Sequence, residues 1–96
     1  MGRRTRVRVE GSSMQPLLLD GQEVLVARVR HVRPGDLIFC RHPYKSKICL
    51  IKKVDHIKDD GRLHLLGLNP AQSTDSRSFG EIAPDHVLGK VSSRVS

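Results

Sequence analysis

Apolar and polar residues alternate with period two along much of this chain, and that period predicts strands. Residues 5–10 place Thr5, Val7 and Val9 on one side and Arg6, Arg8 and Glu10 on the other, the mark of a half-buried strand with one solvated face. Residues 23–30 alternate less cleanly, with Val24, Val26 and Arg28 opposite Leu25, Ala27 and Val29. Residues 37–41, 48–57, 62–66 and 87–91 complete the set of predicted strands. Turn chemistry separates them: Asp20-Gly21, Arg33-Pro34-Gly35-Asp36 in the sense of a type II bend, and the tight Asp59-Asp60-Gly61 signal. Residues 42–47 read as a hairpin loop, and Leu17-Leu18-Leu19 as one turn or an irregular crossing. No segment holds a helical period, and no repeat is present. The expected fold class is mostly β: one compact antiparallel β domain over residues 1–96, with little helix.

Two places interrupt the alternation. The first is Gly11-Ser12-Ser13-Met14-Gln15-Pro16. Pro16 cannot donate a backbone hydrogen bond and biases Gln15 away from helical geometry, while Gly11 tolerates positive φ. A hydroxyl is thereby held at a rigid, partly open bend, where a nucleophile would need to sit. A serine is a weak nucleophile without a base beside it, and no Ser-His-Asp or Gly-x-Ser-x-Gly pattern is evident. The second interruption is Lys52. On the strand from 48 onward, Ile48, Leu50, Lys52 and Val54 share one face, and Cys49, Ile51, Lys53 and Asp55 the other. Lys52 breaks the more apolar face. Two readings fit: its stem packs while its head reaches water, or the ammonium is buried, its pKa falls, and the neutral amine serves as a general base for a serine.

Composition narrows the choices. Aromatic residues make up 3% of the chain, so a small core must be built from Val, Leu and Ile. No apolar run approaches the roughly 18 residues of a spanning helix, and the basic N-terminus lacks the apolar stretch of a secretory signal. No membrane anchor and a cytoplasmic location are expected. Cys40 and Cys49 could face each other across a hairpin, but free thiols are favoured in a reducing compartment. Five histidines and Cys40-x-His42 raise the question of a metal, yet the spacing fits no closed zinc pattern, so none is expected. The net charge of +7 suits an acidic partner or nucleic acid. The positive residues are spread along the chain and few aromatics exist to stack on bases, so nucleic acid is not the expected partner. A basic nucleic-acid-binding β module, reading through Arg3, Arg4, Arg6 and Arg8, remains as the rival from another class.

Three separated motifs, Ser13-Met14-x-Pro16, Ile51-Lys52-Lys53-Val54 and Ser73-x-Asp75-Ser76-Arg77-x-Phe79-Gly80, resemble in their order the S26 signal peptidase family. Those are serine proteases with a Ser/Lys dyad on a β-rich fold, which is shared with the self-cleaving SOS-response repressors. The resemblance covers nearly the whole chain. Val32-Arg33-Pro34-Gly35-Asp36 and Arg41-His42-Pro43 are most similar to one small branch, the nickel-type superoxide dismutase maturation proteases. The resemblance implies a serine endopeptidase without a cofactor, with Ser13 as nucleophile and Lys52 as general base. Ser73 would orient the lysine amine, and Asp75 and Arg77 would stabilise the loop around the site. Gly11 takes the place of an oxyanion-hole serine, so the oxyanion would rely on backbone amides, that of Ser13 foremost. Met14 and Pro16 are expected to contact substrate. The implied partner is a protein precursor, the nickel superoxide dismutase proprotein, whose N-terminal propeptide is removed. The alternatives are signal peptidase-like processing of other precursors and self-cleavage. Gly21-Gln22 and Gly67-Leu68-Asn69 depart from the family's Gly-Asp and Gly-Asp-Asn, which argues against membrane-bound signal peptides as substrates.

Overall fold

A computed structural model describes residues 4–45, 47–69, 71 and 74–95; Arg3 and Ser73 lie outside the described residues. Six strands form one antiparallel sheet: β1 (Arg4–Arg8), β2 (Glu23–Ala27), β3 (Leu37–Arg41), β4 (Cys49–Ile57), β5 (Leu63–Leu66) and β6 (Val87–Arg94). Each predicted strand is present, and the expected fold class is borne out. Only the ends differ. β1 stops at Arg8, because Val9 leaves the ladder to exchange hydrogen bonds with the next turn: its amide donates to the Gln22 carbonyl at 2.7 Å, and its carbonyl accepts from Gly21 at 2.8 Å. β6 runs on to Arg94, its polar end paired with β2 past a register shift at Leu25/Val26.

The spatial order is β1-β2-β6-β3-β4-β5. The strand latest in sequence therefore sits in the middle and joins the β1–β2 pair to the β3–β4–β5 meander. Its fit depends on Gly89. A Cβ there would lie 2.5 Å from Val26 Cγ1 and 2.7 Å from the Ala27 carbonyl oxygen, so only glycine lets β6 approach β2 this closely.

Apolar side chains cover both faces of the meander. One cluster gathers Ile38, Cys40, Val54, Leu63, Leu65, Phe79 and Ile82; the other gathers Val9, Met14, Leu18, Val24 and Val26, with Phe39 and Ile51 packed against it. The period-two reading of β4 explains how one strand serves both, since Leu50 and Val54 face the first cluster and Ile51 the second. Full burial of such a side chain stabilises by roughly 1.5–3 kcal/mol.

The segment after β5, in which the sequence shows no helical period, contains one helical turn, α1 (Ser76–Phe79), and a 3-10 turn follows at Pro84–His86. Four residues are too few to show a helical period, so capping decides. The Asp75 carboxylate accepts from the Arg77 amide at the N-terminus of α1, and the Gly80 amide donates to the Ser76 carbonyl at its end. The same segment closes the outer edge of the sheet. The amides of Leu63, Leu65 and Gly67 donate to the Ile82 carbonyl, the Ser76 hydroxyl and the Asp75 carboxylate at 2.8, 2.8 and 2.9 Å.

Candidate active site

The Ser13 turn is fixed from below by two apolar anchors. Met14 and Leu18 are 2% and 1% exposed, and the Leu18 amide donates to the Met14 carbonyl at 3.0 Å. Above them, the Gln15 amide closes on the Ser12 carbonyl at 3.2 Å. Gly11 has φ +82°, and its amide donates to Asp20 Oδ1 at 2.7 Å, so the reason for glycine here is backbone shape. Asn69 then clamps the turn from the far end of β5. Its backbone amide donates to the Ser13 carbonyl at 2.9 Å, and its side-chain amide donates to the Ser12 carbonyl at 3.1 Å.

Lys52 is 2% exposed, whereas Lys53, its neighbour on the opposite face of β4, is exposed. Snorkelling is thus excluded for Lys52. Burial lowers its pKa from the ordinary lysine value, and the nearby Arg77 cation pushes the same way, against the pull of Asp75 and of Cys40. Neither opposing group is well placed to prevail. Burial also raises the Cys40 thiol to about 12, which leaves it uncharged near neutral pH. Asp75 is 1% exposed and already committed to other partners. Burial alone would raise its pKa, but the Arg77 guanidinium, the Gly67 amide and the Arg77 amide hold it down at about 2. The guanidinium contact is two-pronged, with Nη2 to Oδ2 at 2.7 Å and Nε to Oδ1 at 3.0 Å.

Ser13 and Lys52 line the same groove, a cavity of about 260 Å³. Its walls are residues 7–10, continuing from β1, and residues 49–52, the first half of β4. Because consecutive residues line it on both sides, main chain as well as side chain is presented to the groove. Among the described residues, none pairs with the outer side of these stretches. β1 pairs only with β2, and β5 pairs with β4 from Lys53 onward.

A family model described as Peptidase S24-like matches residues 3–92. The chain belongs to this family. The match supports a hydrolase with serine peptidase-type activity, within the superfamily that also holds the signal peptidases. A search of curated proteins found no match.

In this S24-like peptidase the expected residues fall into three groups. Ser13, Lys52 and Met14 reach the groove, although Met14 does so as a core residue, with little surface left for the substrate contact expected of it. Asp75 and Arg77 form an ion pair near Lys52, with the Asp75 carboxylate buried and the Arg77 side chain half exposed. Pro16 and Gly11 are exposed and do not line the groove, so neither touches the site directly. Asn69 is the residue that sequence reading missed. Its one signal was its place as the last residue of Gly67-Leu68-Asn69, weighed there only for the departure at Leu68. Cys40 is buried and Cys49 exposed, both as free thiols on opposite faces of the β3–β4 hairpin. Among the described residues no three His, Cys, Asp or Glu side chains gather to hold a metal, and no helix is long and apolar enough to cross a membrane.

Proposed function

We propose that this S24-like peptidase is a serine endopeptidase working through a Ser13/Lys52 dyad, and that it removes an N-terminal extension from a protein precursor. One observation carries the reading: a serine held on a clamped turn and a lysine with lowered pKa open onto a single groove. Ser13 Oγ attacks the scissile carbonyl while the neutral Lys52 amine takes its proton. The resulting ammonium donates that proton to the leaving amine as the tetrahedral intermediate collapses to an acyl-enzyme. Lys52, neutral again, activates the water that releases the second product. The Ser13 amide is the candidate oxyanion donor. The substrate lies extended in the groove, hydrogen-bonded to the main chain of residues 7–10 and 49–52.

The resemblance of Val32-Arg33-Pro34-Gly35-Asp36 and Arg41-His42-Pro43 to one branch of signal peptidase-like enzymes supports the precursor of a nickel-type superoxide dismutase as the substrate. Proteolysis there would free the N-terminal histidine and amine that bind nickel. Co-expression with that precursor, followed by N-terminal mass spectrometry, tests both levels. The expected product is a shortened dismutase beginning with histidine, and Ser13→Ala leaves the extension in place. An unprocessed precursor beside an enzyme that cuts other proteins would remove the substrate and keep the dyad; equal cleavage by wild type and Ser13→Ala would remove the dyad.

A further inference from the structure

The arginines of β1 have no part in the chemistry above. Arg4, Arg6 and Arg8 alternate along the strand, so all three project from one face, and all three are exposed. The opposite face is the one that packs: Val7 rests against the second apolar cluster. β1 is also an edge, paired with β2 alone. At its end the strand becomes the groove wall, where Arg8 itself is a lining residue. A row of cations at every second position thus leads along an open edge directly into the groove that holds Ser13.

Few acids neutralise this row. Arg6 Nη1 lies 3.7 Å from Glu23 Oε1, a contact between exposed groups of the kind that contributes about 0–1 kcal/mol. Arg4 faces Ala27 across the ladder, and Arg8 faces Glu23. Glu10 lines the groove beyond Arg8, so the charge changes sign on approaching the serine. Lys47, on the opposite wall, adds a cation at the mouth.

We propose that β1 is the docking edge for the substrate, and that the enzyme selects precursors with Asp or Glu at every second residue of the segment next to the cleaved bond. The inference rests on the Ser13/Lys52 reading for the cleavage and on the edge geometry for the docking. A segment added as a strand beside β1 brings alternate side chains directly alongside Arg4, Arg6 and Arg8, whereas its intervening side chains turn toward the apolar side. Spacing is what distinguishes this from general attraction between a basic protein and an acidic one. Acids in a continuous block place half of their charges on the wrong face; acids at every second position place all of them opposite arginine. Glu10 sets the limit, because the acidic run has to stop before the residues that sit at Ser13.

The test separates docking from cleavage. Fluorescein-labelled ten-residue peptides carry the same number of aspartates, at alternate positions in one and in a block in another, and a third carries alternating lysines. Binding to Ser13→Ala is read by anisotropy. With three aspartates in each, the alternating peptide is expected to bind about threefold more tightly than the block, which keeps two of its acids opposite arginine and loses one cross-strand pair, with the advantage shrinking as ionic strength rises. Arg4→Glu/Arg6→Glu should reverse the preference toward the lysine peptide, an outcome that misfolding cannot imitate. Equal binding of alternating and block peptides overturns the proposal, as does tighter binding of a DNA duplex through the same arginines. In the cleavage arm, wild-type protein is incubated with a peptide library and the cuts are read by mass spectrometry. Ser13-dependent cuts flanked by alternating acids support the proposal; Ser13-dependent cuts without them overturn it and leave the dyad standing. Arginine-dependent binding with no Ser13-dependent cut keeps the docking edge and removes the protease reading.

Discussion

The two edges of the sheet are built in opposite ways. At β5 successive outward amides are capped by a carbonyl, a hydroxyl and a carboxylate, and a short helix is folded over them. At β1 the described residues provide no such cover, and the strand carries a row of arginines. An open edge invites another strand, and proteins either close it or guard it with charge. The closed edge is satisfied within the fold, and the open edge is the one proposed to dock substrate. Substitutions at the two edges should therefore fail differently: changes around the groove should cost rate with little loss of stability, and changes at β5 should cost stability first.

The largest effects belong to the groove. Ser13→Ala and Lys52→Met are each expected to lower the rate of cleavage at least about 10³-fold. Thermal melts should show Ser13→Ala unchanged and Lys52→Met unchanged or raised, because an apolar isostere relieves the cost of a buried ammonium. A marked fall in the melting temperature of Lys52→Met would mean that the amine is a structural partner. Lys52→Arg should be inactive too, since a guanidinium stays protonated. In the wild type the rate should climb with pH as Lys52 deprotonates, with a midpoint below the ordinary value of about 10.4. A flat profile with chemistry rate-limiting would assign the base elsewhere.

Asp75→Asn comes next, with an expected loss of about 2 kcal/mol of stability in denaturant titration, because the buried carboxylate's charge-assisted bonds from the Gly67 and Arg77 amides are lost or weakened. The carboxyl titrates at about 2 when folded, against an unfolded value near 3.8. The stability it contributes is complete above the unfolded value and is lost as pH falls through about 2. The Asn variant should accordingly show a flatter acid limb. It should also shift the pH–rate midpoint downward, because it removes an anion that favours the Lys52 ammonium and leaves Arg77 unneutralised beside it. A midpoint that does not move would disconnect the closed edge from the dyad. Ser76→Ala leaves the Leu65 amide without its acceptor and should cost about 1–2 kcal/mol with the rate per folded molecule kept. Lys53→Arg, at an exposed position of β4, should fall within about 0.5 kcal/mol of wild type and leave the rate unaltered.

The six strands were legible because burial on alternate sides of a sheet leaves a period-two trace, and Pro, Gly and Asp mark where the chain turns. The oddity of Lys52 was legible for the same reason: it breaks an apolar face. Its burial was not, since alternation says which face a residue is on and nothing about what covers that face. The Asn69 clamp was out of reach, because a side-chain bond to Ser12 across 57 residues leaves no local trace. α1 hid for the opposite reason; it is one turn long, and its cap at Asp75 read equally well as a loop ion pair. Met14 is ambiguous because an apolar residue beside a serine turn suits a substrate pocket and a core alike, and here it is buried in the core and also lines the groove.

The central position of β6 has a consequence for biosynthesis. Ser13 belongs to the half of the sheet made by β1 and β2, and Lys52 to the half made by β3, β4 and β5; in the strand order only β6 bridges them. A chain emerging from the ribosome can form each half by local hairpins; the Asn69 clamp ties the Ser13 turn to the second half, and the backbone ladder between the halves is completed when residues 87–94 slot between them. Insertion of β6 thus brings the two halves, and with them Ser13 and Lys52, into one sheet. A chain stalled before residue 87 should be unable to cut substrates that the finished protein cuts.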